Sequence, residues 1–132
     1  MAEQDIRWKQ RFHNFEKSLQ SLEFAIKIKD PDIAQKAGLI QFFEVTFELS
    51  WNLLRDFLQQ QGFNELRSPR DCIKKAFETQ LITDGKKWLI ALESRNISVH
   101  TYDEQTANKI IEQIRNEFYP LLLELYNKLK KK

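Results

Sequence analysis

From Trp8 the apolar residues run Trp8, Phe12, Phe15, Leu19, Leu22, Ile26, in steps of 4, 3, 4, 3 and 4. That is the spacing of one stripe on an amphipathic α-helix. The same steps return near the other end, at Ala107, Ile111, Ile114, Phe118, Leu121 and Leu125. Both ends of the chain are thereby committed to helices whose apolar sides must be covered. Turn-forming material is scarce: three glycines and three prolines in 132 residues, where average usage would supply about 16. An antiparallel β-sandwich with many tight turns is disfavoured, and long helices with few connections are favoured. Ten Phe, three Trp and three Tyr provide bulk for packing them together.

The segments between the stripes fill in the plan. Asp30-Pro31-Asp32 ends the first helix, because proline biases the residue before it away from the α region and an aspartate can cap the next helix. The second helix runs from about Ile33 to Gln61, with Gly62 as its stop. Its apolar arc spans Leu39, Ile40, Phe42, Phe43, Val45, Phe47, Leu49, Trp51, Leu53, Leu54, Phe57 and Leu58, leaving a narrow polar line of Glu44, Glu48, Asn52 and Arg55. A surface helix needs an apolar stripe of roughly 100°. The excess here is covered either by the middle of a bundle or by another subunit.

Ser68-Pro69 starts a short helix reaching about Phe77 or Thr79, and Asp84-Gly85 starts another with Trp88, Leu89 and Leu92. Asn96 to Tyr102 lacks helical spacing and reads as a connection or a frayed helix end. Thr101 or Asp103 then caps the last helix, which kinks just before Pro120 without stopping, since the stripe continues in phase. The expected fold is all-α: an up-and-down antiparallel bundle of about five helices, two of them short, forming one domain over residues 1–132.

Twenty-one Lys and Arg against nineteen Asp and Glu give a net charge of +2, too balanced to mark a nucleic-acid binder by itself. The pairs Arg67/Arg70, Lys74/Lys75 and Lys86/Lys87, with the Lys-rich tail, could steer RNA or simply keep the protein soluble. The single Cys72 forbids an intrachain disulfide and a cysteine-rich zinc site. No run of about 18 apolar residues suggests a membrane span, and MAEQDIRWKQ carries no apolar signal core. A soluble protein of a reducing compartment, most simply cytoplasmic, is expected.

There is no glycine-rich phosphate loop, no HExxH and no EF-hand loop. His13 and His100 are not at ligand spacing from each other or from Cys72, so neither a metal nor a cofactor is expected. Chemistry concentrates instead in Arg95-Asn96-Ile97-Ser98-Val99-His100-Thr101-Tyr102, which sets a permanent cation, an imidazole and a phenol within eight residues. Histidine can take and give protons near neutrality. Arginine presents a planar fork to phosphate oxygens and stabilises charge that grows in the transition state. Such a pair could cleave RNA without metal. Arg7 and His13 share the spacing, but inside a regular helix that separation puts them on poorly matched faces. Structural roles compete throughout: Arg95 can close a helix, His100 can pair with Asp103 or Glu104, and Trp51 and Trp88 can anchor the core rather than stack on bases. Glu44 and Glu48 lie one turn apart, a like-charge pair that costs a few tenths of a kcal/mol unless a cation meets it. Arg95 is a candidate for that cation.

Taken together, Gln41-Phe42-Phe43-Glu44, Phe47-Glu48-Leu49-Ser50-Trp51, Gly62, Ser68-Pro69-Arg70, Trp88 and the block from Arg95-Asn96 through His100-Thr101-Tyr102-Asp103-Glu104 resemble the HEPN proteins, in the branch named nucleotidyltransferase substrate-binding proteins. The block matches that family's R-x4-6-H motif and its extended R-x4-H-x-Y form. The resemblance implies a dimerising helical bundle in complex with a small nucleotidyltransferase encoded nearby. It further implies a metal-independent RNase toxin, with Arg95 and His100 catalytic and Tyr102 the acceptor of a silencing AMP. Asn96 would be an accessory residue shaping the turn or touching phosphate, and Glu44 and Glu48 fit the family's acidic positions on the second helix. The older family name implies the alternative: a non-catalytic subunit that binds a substrate or nucleotide and presents it to the nucleotidyltransferase.

Overall fold

The computed structural model describes residues 3–98 and 103–132. Six α-helical segments follow one another: α1 (Glu3–Ile26), α2 (Ile33–Gln60), α3 (Pro69–Glu78), α4 (Gly85–Ser98), α5 (Glu104–Gln113) and α6 (Tyr119–Lys130), with a π-helical turn at Ile114–Phe118 fusing the last two into one rod. Five rods result, and no strand occurs among the described residues.

Helix α2 is the axis of the bundle. As α1 advances from Arg11 to Ser18, its partner on α2 recedes from Asp56 to Thr46, so the two are antiparallel. The final rod runs parallel to α2, with Glu104 beside Lys36 and Phe118 stacked on Phe43. It is antiparallel to α1, with Tyr119 bonded to Glu23 and Tyr126 to Glu16. The stripe of α1 is buried at Trp8, Phe15, Leu19 and Leu22 and half-buried at Phe12 and Ile26. The bundle takes most of the wide arc of α2, including Leu39, Phe43, Phe47, Leu53, Leu54, Phe57 and Leu58. Phe42 and Val45 stay exposed, so the middle of the bundle accounts for most of that arc and leaves one strip uncovered.

Local chemistry sets the helix boundaries. Asp32 caps α2 by accepting from the Gln35 amide at 2.8 Å, while the Gln35 side chain accepts from the Asp32 amide at 2.9 Å, a reciprocal box that satisfies two otherwise orphaned donors. At the other end, Gly62 adopts φ +103°. The Phe63 amide then reaches the Leu58 carbonyl and the Gly62 amide reaches Gln59, the paired closure known as a Schellman motif. Ser68 caps α3 with Pro69 in its first turn, and Asp103 caps α5 through the Thr106 amide.

The structure gives definite form to two boundaries that the sequence left open. Helix α4 continues to Ser98, so Asn96–Ser98 belong to a helix end and not to a separate connection. Ahead of Pro120 the chain forms the π turn, in which the Tyr119 amide bonds the Ile114 carbonyl five residues back. A π turn relieves the clash between a proline ring and the carbonyl one turn earlier. Arg115 in that turn donates to the carbonyls of Ile26 and Ile28 at 3.0 and 3.2 Å, closing the C-terminal end of α1.

The buried polar side chains Asp56, Thr46 and Ser50 of α2 are all paired, the first two with α1. Asp56, with a side chain 1% exposed, accepts from Arg11 Nε at 2.6 Å and lies 3.5 Å from Arg55 Nε. Thr46 bonds Ser18 Oγ and the Phe42 carbonyl, and Ser50 bonds the Phe47 carbonyl. Cys72 is buried, and desolvation raises its thiol to a pKa of about 11. Among the described residues no helix is long and apolar enough to cross a membrane.

Candidate functional site

Arg95 sits in the last turn of α4, where a cation complements the negative end of the helix dipole. Helix α4 is seated against α2 through Trp88, whose ring centroid lies 5.8 Å from that of Phe47. That contact brings Arg95 to the polar line of α2. Arg95 Nη1 donates to Glu48 Oε2 at 2.6 Å, with the Arg95 side chain 21% exposed and Glu48 51% exposed. Glu44 lies half-buried one turn earlier on the same face, and it too is engaged in an interaction. The cation expected from the like-charge spacing of the two glutamates is therefore present, and it is Arg95.

The far flank of the block is also fastened to α2. Asp103 Oδ2 accepts from the Thr106 amide and hydroxyl at 3.1 and 2.9 Å, fixing the start of α5. Glu104 pairs with Lys36 at 3.2 Å. Lys36 and Glu48 are twelve residues apart on one helix, roughly 18 Å at 1.5 Å per residue. A single rigid helix thus holds the residues on both sides of 99–102. Asn96 lies in the last turn of α4. His100 and Tyr102 lie outside the described residues.

Sequence reasoning did not single out Lys36, because nothing local marks it; only the fold brings it to Glu104. It also passed over Arg11 and Asp56, which are 45 positions apart. His13 is exposed and lies 4.0 Å from Glu16. Trp88 is a buried anchor. Trp51 is half-buried, with Arg55 at 5.3 Å from its ring centroid and, among the described residues, no hydrogen-bond partner for its buried indole N–H. Arg67, Arg70, Lys74, Lys86 and Lys87 are exposed, while Lys75 pairs with Glu78 and lies over Phe63. Among the described residues no group of three or more His, Cys, Asp or Glu could hold a metal ion.

Comparisons with known proteins converge on this architecture. A crystal structure of a protein from Thermus thermophilus superposes with a TM-score of 0.82 at 30% identity, covering 88% of this chain and 98% of that one. A Haemophilus influenzae protein, described as revealing the fold of a substrate-binding domain of a nucleotidyltransferase, superposes with a TM-score of 0.68 at 28% identity over 97% of this chain and 99% of that one. The curated protein "Probable ribonuclease HepT" of Haemophilus influenzae is 36% identical over 91 residues, which span 64% of this chain and 62% of that relative's length. The family model described as nucleotidyltransferase substrate binding protein like matches residues 10–131. With the match running from the first turns of α1 to the end of α6, the chain belongs to the nucleotidyltransferase substrate-binding-protein-like family.

Proposed function

We propose that this protein is a metal-independent RNase that works beside a small nucleotidyltransferase, with Arg95 and His100 as the cutting pair. The observation that carries the reading is the Arg95–Glu48 contact, which fixes a guanidinium at the end of α4, where the chain enters the block containing His100. Similarity to a probable ribonuclease supports it. In this mechanism the His100 imidazole takes the proton of a ribose 2′-hydroxyl. The freed oxygen attacks the adjacent phosphorus, the bond to the 5′-oxygen breaks, and a proton is delivered to that leaving oxygen. The products are a 2′,3′-cyclic phosphate and a 5′-hydroxyl. Arg95 neutralises the charge that accumulates on the phosphoryl oxygens. Asn96 is an accessory residue that shapes the turn or contacts phosphate, and Glu48, with Glu44 beside it, orients the guanidinium.

Two copies complete the site. The exposed Phe42 and Val45 on α2 and Ile90 on α4 supply apolar surface for a homodimer whose cleft receives RNA. The whole of residues 1–132 acts as one domain of a cytoplasmic protein. Silencing occurs when the Tyr102 phenol oxygen attacks the α-phosphorus of ATP held by the nucleotidyltransferase, releasing pyrophosphate. The added AMP places bulk and negative charge where the RNA phosphate must sit. Purified protein is expected to cleave RNA in EDTA, and His100→Ala to abolish that cleavage. Strict dependence on divalent metal, or an active His100→Ala variant, overturns the mechanism.

The family description and the structure from Haemophilus influenzae favour a second reading, a non-catalytic subunit that presents a nucleotide to the nucleotidyltransferase. That subunit would be harmless when expressed alone, and its removal would cripple the partner enzyme. Growth arrest on solo expression, relieved by the partner, decides for the RNase.

A further inference from the structure

We infer that Arg55, laid over the Trp51 ring, is a binding residue for the RNA strand and grips a phosphate flanking the one being cut. The inference builds on the RNase reading above, which supplies the RNA, and adds to it a subsite on α2. Glu44, Glu48, Trp51 and Arg55 follow one another at steps of 4, 3 and 4, so they share one face of that helix. Glu48 holds the Arg95 guanidinium. Arg55 stands seven residues farther on, roughly 10 Å along the axis at 1.5 Å per residue. A strand with its cut phosphate at Arg95 therefore passes Arg55 with a neighbouring nucleotide when it follows α2 toward α3.

The surroundings of Arg55 leave it with cationic capacity to spare. Two arginines share the buried Asp56 carboxylate: Arg11 Nε donates to it at 2.6 Å, whereas Arg55 Nε stands 3.5 Å away. One carboxylate between two guanidinium groups leaves a positive charge over. With Nε turned toward Asp56, the two terminal nitrogens of Arg55 have no hydrogen-bond partner among the described residues, and the side chain is 30% exposed.

Trp51 sets the orientation of that charge. The Arg55 guanidinium lies 5.3 Å from the indole centroid, and the indole is anchored by its buried N–H edge. A planar fork held in a fixed attitude is suited to two-point binding of a phosphate. Its outer face can also take a stacked base, as guanidinium planes do on single strands. The start of α3 lies alongside, since the buried Cys72 thiol feels the Arg55 charge. That segment carries the exposed Arg67 and Arg70, with Asp71 as the acid of the first turn.

The test is fluorescence anisotropy of a short single-stranded RNA titrated with the full chain at several salt concentrations. The RNA is 2′-O-methylated throughout, so that it binds without being cut. Arg55→Gln is expected to weaken binding by about tenfold. It should also lower the slope of log K against log salt by about 0.7, the share of one phosphate contact on a single strand. Arg55→Lys keeps the charge beside Asp56 but not the planar fork, so it should hold that slope yet bind more weakly than the parent. It also serves if Arg55→Gln fails to fold. On a cleavable RNA, Arg55→Gln should raise KM and leave kcat unchanged, because a flanking contact is made equally in the ground and transition states. Lys17→Gln, which removes an exposed cation of α1, should change none of these readings. An Arg55→Gln chain with the parent's affinity and slope, or a Lys17→Gln chain that loses as much, overturns the inference and leaves the RNase reading standing. A parent that binds through Arg55 yet never cuts the cleavable RNA overturns the RNase reading and keeps Arg55 as a contact to RNA held uncut.

Discussion

Arg95 Nη1 and Glu48 Oε2 lie 2.6 Å apart, joining the last turn of α4 to the middle of the central helix. With half of the Glu48 side chain exposed, the pair contributes at most about 1 kcal/mol to stability. Glu48→Gln is therefore expected to shift the urea midpoint only slightly. The same substitution should slow RNA cleavage by about tenfold or more, because the guanidinium loses its orientation. Arg95→Ala should cost about 10²–10³ in rate, the usual loss when one donor to a developing oxyanion is removed. A large stability loss with unchanged cleavage in Glu48→Gln would assign the pair to the fold alone.

Asp56 is the opposite case. Its carboxylate is sealed between Arg11 and Arg55, and removing one member of a buried ion pair typically costs about 3–5 kcal/mol. Asp56→Ala leaves two arginines that are each 30% exposed and can rehydrate, so it is expected to lose about 1–3 kcal/mol by urea denaturation. Arg11→Met, which leaves the buried carboxylate with Arg55 alone, should lose as much or more.

The α1–α6 contact makes stability depend on pH at both extremes. Burial, then the hydrogen bond to Glu23, raises the Tyr119 phenol well above its ordinary value, and the hydrogen bond to Glu16, then burial, raises that of Tyr126. A group with a raised folded pKa contributes stability that is fully present below its unfolded pKa, near 10, and is lost as pH climbs through the folded value. Glu23 moves the other way: the Tyr119 hydroxyl, then Lys27, lowers its pKa. Its contribution is present above the ordinary carboxylate pKa and fades as pH falls through the lowered value. Thermal melts are expected to decline above about pH 10 and, at the acid end, below about pH 4.3. Tyr119→Phe should flatten both arms; a melt profile identical to the parent's would refute this linkage.

Burial and a pKa near 11 make Cys72 a reporter of opening. Iodoacetamide at pH 8 is expected to leave the folded protein unlabelled and to modify it at a rate that tracks unfolding, since only the thiolate reacts. Fast labelling under native conditions would show that α3 opens locally.

Two glycines of α2 and its C-terminal stop should respond with opposite sign. A Cβ at Gly38 would meet nothing within 4 Å in mid-helix, so Gly38→Ala should stabilise by about 0.5–1 kcal/mol. Gly62 has equally open surroundings but φ +103°, so Gly62→Ala should destabilise by about 1–2 kcal/mol. Chemical denaturation of the two variants measures both.

Periodicity carried most of the fold. The stripes of α1 and of the final rod, the Asp32 and Ser68 caps and the Gly62 stop are all consequences of short-range chemistry, and each is found where the local signal puts it. The end of α4 was ambiguous because Asn96–Ser98 carry no apolar stripe, so helical continuation there left no mark in the spacing. At the candidate site, the demand of Glu44 and Glu48 for a cation was legible and Arg95 answers it. Lys36, Arg11 and Asp56 were not legible, because their partners lie 68 and 45 positions away and only assembled helices bring them together.

The π turn at Ile114–Phe118 lets one rod serve two neighbours. Before it, Ile110 and Ile111 are buried; at its end Phe118 stacks on Phe43 of α2, and beyond it Tyr119 and Tyr126 bond α1. The surplus residue swivels the downstream half around the rod's own axis relative to a regular α-helix. The upstream half, which receives the chain from 99–102, can therefore be seated on α2 independently of how firmly the downstream half grips α1. Deleting one residue from the turn would force the two halves into a common phase and set these attachments in conflict.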